Sequence, residues 1–101
     1  MMEPLTGSQK RQLKSIAQRL EATVRVGKNG LSDGFFKELN DALERTELVK
    51  VRFADLKEEK KVLAPQIAEK SGSHFVTRVG HVAVYFRQHS DPEKRRIKFA
   101  S

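Results

Sequence analysis

The chain contains no cysteine in its 101 residues. That absence excludes disulfides, thiolate catalysis and cysteine-ligated zinc, and it fits a reducing cytoplasm. No stretch approaches the ~20 apolar residues of a membrane-spanning helix. The opening Met1-Met2-Glu3-Pro4-Leu5 has no basic segment leading into an apolar one, so a secretory leader is not expected. His74, His81 and His89 lack the i,i+4 or clustered spacing of a metal site, and neither metal nor cofactor is expected. No nucleophile-and-base arrangement and no inward pair of carboxylates can be read from the sequence. The one glycine-spaced loop lacks the Gly-Lys-Ser/Thr ending of a phosphate-binding P-loop. Catalysis is therefore not expected. Internal repeats and low-complexity segments are missing too.

Acid is in short supply as well. Lys and Arg together number 20 against 13 for Asp and Glu, giving a formal net charge of +7, an excess that attracts polyanions. The distribution says more than the total. Lys10, Arg11, Lys14, Arg19 and Arg25 crowd the first quarter, and Lys94, Arg95, Arg96 and Lys98 crowd the tail, whereas residues 33–47 are mostly acidic. A 38% hydrophobic content suits one globular domain over 1–101, with a core from about 5 to 87 and a basic tail at 88–101.

Hydrophobic spacing sets the element order. Thr6-Gly7-Ser8-Gln9 fits a capping box, and Leu13, Ile16, Ala17 and Leu20 form the buried stripe of a helix spanning about 7 to 20. Thr23 to Val26 reads as a short strand, ended by Gly27-Lys28-Asn29-Gly30. Ser32 or Asp33 caps the next helix, whose stripe is Phe35 or Phe36, Leu39, Ala42 and Leu43. Leu48 to Phe53 alternates, with Val49, Val51 and Phe53 on one face and Lys50 and Arg52 on a wet one. Asp55-Leu56-Lys57-Glu58 opens a third helix that stops at Ser71-Gly72, with a kink or break expected at Pro65. His74 to Val79 and Val82 to Arg87 form a hairpin across Gly80-His81, and Ile97 and Phe99 either add an edge strand or belong to a basic tail. Helix, strand, helix, strand, helix, strand, strand predicts an α/β fold of the α+β, two-layer kind. Its sheet would be four-stranded and mixed, packed against helices.

The Gly-x-x-Gly at 27–30 is the most informative stretch. Glycine pairs are common in strand-to-helix turns, but here the turn precedes a helix N-terminus, where unpaired N–H groups favour a phosphate. Backbone N–H groups around 28 to 32 are expected to hold one or two phosphates, with Lys28 adding charge. Asn29 is expected to adopt the left-handed conformation or to bond sugar or base. Lys10, Arg11, Lys14 and Arg25 are candidate phosphate contacts, and His81 joins them when protonated. Tyr85 either stacks on a base or packs in the interior.

Successive landmarks give the chain a family likeness. They are Leu5-Thr6-x-x-Gln9-Lys10-x-x-Leu13-Lys14-x-x-Ala17, Val26-Gly27-Lys28-Asn29-Gly30-Leu31-Ser32, Leu48-Val49-Lys50-Val51, and Val79-Gly80 before Val84-Tyr85. Together they resemble the CRM domain, the chloroplast RNA splicing and ribosome maturation domain, known in bacteria as the stand-alone YhbY protein. The resemblance implies a fold similar to the C-terminal domain of translation initiation factor three, with a loop likened to the KH loop that grips an RNA backbone. It implies association with ribosomal RNA in large-subunit precursors, as for the bacterial members; plant proteins with several such domains assist intron splicing. Gly27, Lys28, Asn29 and Gly30 take the place of the family loop, and basic residues of helix one and of the hairpin, Arg78 and His81 among them, supply the adjoining surface. Pro65 is a departure that bears on helix three alone. The expected protein is a cytoplasmic, non-enzymatic RNA-binding monomer, independent of membranes, that assists ribosome assembly. The alternative is a protein-interaction module docking through acidic helix two, by way of Glu38, Asp41 or Glu44.

Overall fold

The structure, a computed structural model, describes residues 4–99. Its elements run α1 (Gly7–Ala17), β1 (Val24–Val26), α2 (Asp33–Thr46), β2 (Leu48–Phe53), α3 (Lys60–Ser71), β3 (His74–Val79) and β4 (Val82–Phe86). The strands form one mixed sheet in the order β1-β2-β4-β3, with β1 parallel to β2 and the other neighbours antiparallel. This is the α+β architecture with a mixed four-stranded sheet that the hydrophobic periods predict.

Local chemistry fixes the helix ends. Thr6 and Gln9 close the capping box of α1 reciprocally, at 3.1 and 2.9 Å. Helix α1 ends at Ala17, not near Leu20. There the Lys50 ammonium reaches across from β2 and donates to the carbonyls of Ala17 and Leu20, at 3.0 and 2.9 Å. Lys50 is thus a helix C-cap, not a free cation of a wet strand face. Ser32, not Asp33, caps α2, its Oγ accepting the Phe35 N–H at 3.2 Å. Of the two phenylalanines, Phe35 is buried and Phe36 packs edge-on against it, with ring centres 5.1 Å apart.

Helix α3 starts later than the sequence suggests, because Leu56 lies in the left-handed region (φ 52°) and a 3-10 turn at Lys57–Glu59 precedes it. The helix then runs unbroken through Pro65. Proline removes the donor that would bond the carbonyl of Lys61, but both residues are exposed, so water can satisfy that carbonyl. Gly72 (φ 65°) ends α3 in a Schellman arrangement, with the Ser73 N–H donating to Ala68 at 3.0 Å.

Helices occupy both faces of the sheet, which corrects the two-layer expectation. On one face α2 and α3 bury Val24, Val26, Val49, Val51, Phe53, Ala83 and Tyr85. On the other, α1 and the C-terminal segment bury Leu48, Val76, Val84 and Phe86 with Leu13, Ala17 and Ile97. The reason lies in β4, where Val82-Ala83-Val84-Tyr85-Phe86 is a continuous apolar run, the signature of a strand covered on both sides. Tyr85 is fully buried, and its hydroxyl donates to the Ala64 carbonyl at 2.8 Å. Burial pushes its phenol well above the ordinary range. It is therefore a core residue and offers no face for stacking.

The tail is neither an edge strand nor loose. Glu47, fully buried at the end of α2, accepts the N–H groups of His89 (2.7 Å), Arg96 (2.6 Å) and Ile97 (2.9 Å) on its carboxylate. Those bonds seat Ile97 in the second core, with Phe99 packed edge-on against Phe86. Charge-assisted bonds of this kind contribute about 1.5–3 kcal/mol each before mutual coupling.

Replacing Glu47 by Ala is expected to cost about 2–4 kcal/mol in urea unfolding and to open the tail to trypsin at Arg95 and Arg96. Glu47→Gly should lose somewhat less, since glycine relaxes the residue's φ of 66°. Wild-type stability with a protected tail would contradict the staple. Tyr85→Phe should cost about 1–2 kcal/mol by leaving the Ala64 carbonyl without its donor.

Candidate nucleic-acid interface

Strand register gathers three connections at one end of the sheet. Val26 of β1 lies beside Phe53 of β2, and the Phe53 N–H donates to the His81 carbonyl in the β3–β4 turn at 2.8 Å. The Ala54 and Asp55 N–H groups both donate to the Val26 carbonyl, wrapping the next connection around the end of β1. The Gly27–Gly30 loop, the 54–57 connection and the Gly80-His81 turn therefore sit together.

The loop itself is a closed turn, its Gly30 N–H donating to the Gly27 carbonyl at 3.0 Å. Gly30, with φ 63°, takes the left-handed position expected of Asn29, and a methyl group there would come 3.2 Å from Leu56 Cδ1. Gly27 does not share that constraint, since the space around its Cα is open. Because Gly30 is bonded within the turn, its N–H is not free for phosphate, as the sequence had suggested it would be. Lys28 and Asn29 stand exposed at the tip. Asp33, in the first turn of α2, adds negative charge there, so the cations near the loop must outweigh it.

Those cations are present. Around the β3–β4 turn lie Arg52, Lys57, Lys60 and Arg78, all acting on the His81 ring. The Lys60 ammonium is 2.8 Å from His81 Nδ1, a contact that requires the imidazole nitrogen to accept. Arg78 Nη1 donates to the Gly80 carbonyl at 2.8 Å, which fixes the guanidinium beside the turn. Lys60 above all, then some loss of hydration, then Lys57, Arg52 and Arg78 lower the His81 pKa. These cations thus disfavour the charged form of the ring.

The ten residues singled out from the sequence do not form one patch. Gly27, Lys28, Asn29, Gly30, Arg78 and His81 meet at this end of the sheet. Arg25 and Lys14 instead border the uncovered part of the second face, with Lys50, Arg52, Thr77, Val79 and Val82 between them. Lys10 sits near His74 toward the opposite end, where burial and then Lys10 lower that histidine's pKa. Arg11 is exposed on the same half of α1. Arg52, Lys57 and Lys60 were missed. Each reads as an ordinary wet-face or helix-start residue, and only the pairing of Arg52 with Val82 and the delayed start of α3 bring them to the turn.

Two of the four acidic residues of α2 pair within the fold, while Glu38 stands exposed. Glu44 meets Arg87 at 3.4 Å and His89 Nε2 at 2.9 Å, while Asp41 meets Lys37 at 3.2 Å. Among the described residues no helix is long and apolar enough to cross a membrane.

The amino-acid sequence matches the profile of the CRS1/YhbY (CRM) domain over residues 5–87. It is 35% identical over 91 residues to a Pseudomonas aeruginosa protein named as a probable RNA-binding protein, spanning 89% of this chain and 88% of that one. It is 36% identical over 85 residues to YqeI of Bacillus subtilis, also named as a probable RNA-binding protein, spanning 83% and 88%. A solution structure from Staphylococcus aureus superposes with a TM-score of 0.76 at 31% identity, covering 94% of this chain and 100% of that one. The likeness thus extends across the domain and is not confined to the glycine loop. The profile stops at 87, ahead of the tail segment that Glu47 binds.

The two glycines should separate in a stability test. Gly30→Ala is expected to cost about 1 kcal/mol, from its positive φ and the approach to Leu56, whereas Gly27→Ala should stay within about 0.5 kcal/mol of wild type. Thermal melts of the two variants check this, and equal losses would mean that the turn geometry is wrong.

Proposed function

The chain belongs to the CRS1/YhbY (CRM) domain family, and from that premise we propose that it is an RNA-binding protein that grips the RNA backbone at its Gly27–Gly30 loop. The observation that carries this reading is the convergence of an exposed, closed glycine turn with unpaired cations at one end of the sheet. Gly27 leaves open space for a backbone to approach, and Lys28 supplies a point charge at the tip. A clamp of this kind holds phosphates and sugars without reading sequence, as in KH-type loops. The relatives named above support the ligand class.

The finer reading is that the ligand is ribosomal RNA within precursors of the large subunit. The protein would act there in the cytoplasm, as a monomer assisting assembly without catalysing a reaction. It rests on the resemblance to the bacterial stand-alone members. Docking through α2 is the weaker reading, because Asp41 and Glu44 already hold partners within the fold.

Gly27→Asp and Lys28→Glu are expected to weaken RNA binding by about tenfold or more while leaving the melting temperature nearly unchanged. Wild-type affinity should fall steeply with added salt. Undiminished binding by both folded variants would sink the clamp. Crosslinking in cells should enrich large-subunit ribosomal RNA, and scattered hits would remove the assembly role alone.

A further inference from the structure

The β3–β4 turn presents an electrostatic arrangement that folding alone does not require. Arg52 from β2, Lys57 from the 3-10 turn, Lys60 from the head of α3 and Arg78 from β3 all act on His81. None of these four cations forms an ion pair with a carboxylate of the described residues. Asp55, Glu58 and Glu59 lie on the adjoining segment, yet only cations figure among the charges acting on the ring. Helix α3 also begins without a side-chain cap, so its dipole adds potential of the same sign. Like charges gathered without counter-charge repel one another, and an anion placed among them removes that cost.

The turn is also held in place. The Phe53 N–H fixes the His81 carbonyl and the Gly80 carbonyl fixes Arg78, each at 2.8 Å. With Nδ1 facing the Lys60 ammonium, the neutral ring carries its proton on Nε2, a donor for a ligand oxygen. Leu56, whose Cδ1 lies against Gly30, is the residue before Lys57. The turn and the glycine loop are therefore neighbours.

We infer that the β3–β4 turn, with Arg52, Lys57, Lys60, Arg78 and His81, is a second phosphate seat, taking a backbone phosphate of the same RNA that the Gly27–Gly30 loop grips. This inference rests on the RNA-binding reading above. The seat has a property that the glycine loop lacks. A phosphate beside His81 offsets the surrounding cations and raises the ring's proton affinity, so the complex holds the His81 proton to higher pH than the free protein does. By linkage, affinity rises as pH falls through the complexed ring's pKa, and it levels off once the free ring is also protonated.

The test uses the full chain and a fluorescently labelled RNA hairpin with a single-stranded overhang, titrated at two pH values and several salt concentrations. Wild type should bind about threefold tighter or more at about pH 5.5 than at about pH 7.5. His81→Asn should flatten that dependence. The double variant Lys57→Gln/Lys60→Gln should lower the slope of log affinity against log salt by about 0.7, the value for one single-strand phosphate contact. Gly27→Asp should weaken binding at both pH values and keep the pH dependence. The His81 ring, followed by NMR, should titrate at higher pH in Lys60→Gln, and at higher pH again when RNA is added to wild type. If wild type binds RNA and Gly27→Asp does not, while the turn variants keep wild-type affinity, salt slope and pH response, the seat is overturned and the loop clamp stands. If wild type binds no RNA, both readings fall together. Circular dichroism melts of each variant separate lost contacts from lost folding.

Discussion

One buried carboxylate holds the closed end of this fold together. Glu47 stands alone between α2 and β2, with a positive φ of 66° that lets the chain reverse in a single residue. Its amide donates to Leu43, its carbonyl accepts from Arg87, and its carboxylate gathers the tail at His89, Arg96 and Ile97. A charge so placed is tolerable only because its oxygens are satisfied by donors. Arg87 continues the lock. Its guanidinium donates to the Ser71 carbonyl at the end of α3 and to Asn40 of α2, and it meets Glu44. With one end of the sheet committed to internal polar bonds, the exposed glycine loop and the β3–β4 turn gather at the other.

Net charge alone is a poor guide to where that ligand goes. Lys50 caps α1, Arg87 ties α2 to α3, Arg95 donates to the His89 carbonyl and Lys37 pairs with Asp41. Once those are set aside, the cations at the Gly80-His81 turn stand out by their arrangement. Three of them come from the consecutive elements around 52–60 and the fourth, Arg78, from β3, which the fold brings beside them.

The elements were legible because their periods are strong. The capping box at Thr6, the alternation in β2, the glycine stop at Gly72 and the Gly80-His81 hairpin all follow from local spacing and backbone chemistry. What escaped was long-range. Glu47 reads as one more polar residue of an acidic helix until the tail is seen to fold back on it. The apolar run of β4 signals burial on both faces, but the charged neighbours in β2 argued against it, and Lys50 proved to serve a helix end. At the candidate site the glycine loop was visible and its partners were not. Arg52, Lys57 and Lys60 acquire meaning only from strand register and from a helix that starts late behind a left-handed Leu56.

Strand β3 carries an irregularity between Phe75 and Thr77, where its register against β4 shifts by one residue. Before it, Phe75 pairs with Tyr85; after it, Arg78 pairs with Ala83, the next β4 residue on the same side of the sheet. Since side chains alternate, the extra residue is what keeps Arg78 on that side: paired at the same length without the bulge, β3 would send Arg78 to the opposite side and bring Val79 over in its place. Which side of the sheet Arg78 occupies is thus set by how β3 pairs as much as by its residue types. Pairing β3 without its bulge would rewire the charge pattern of the turn without touching a single one of its charged residues.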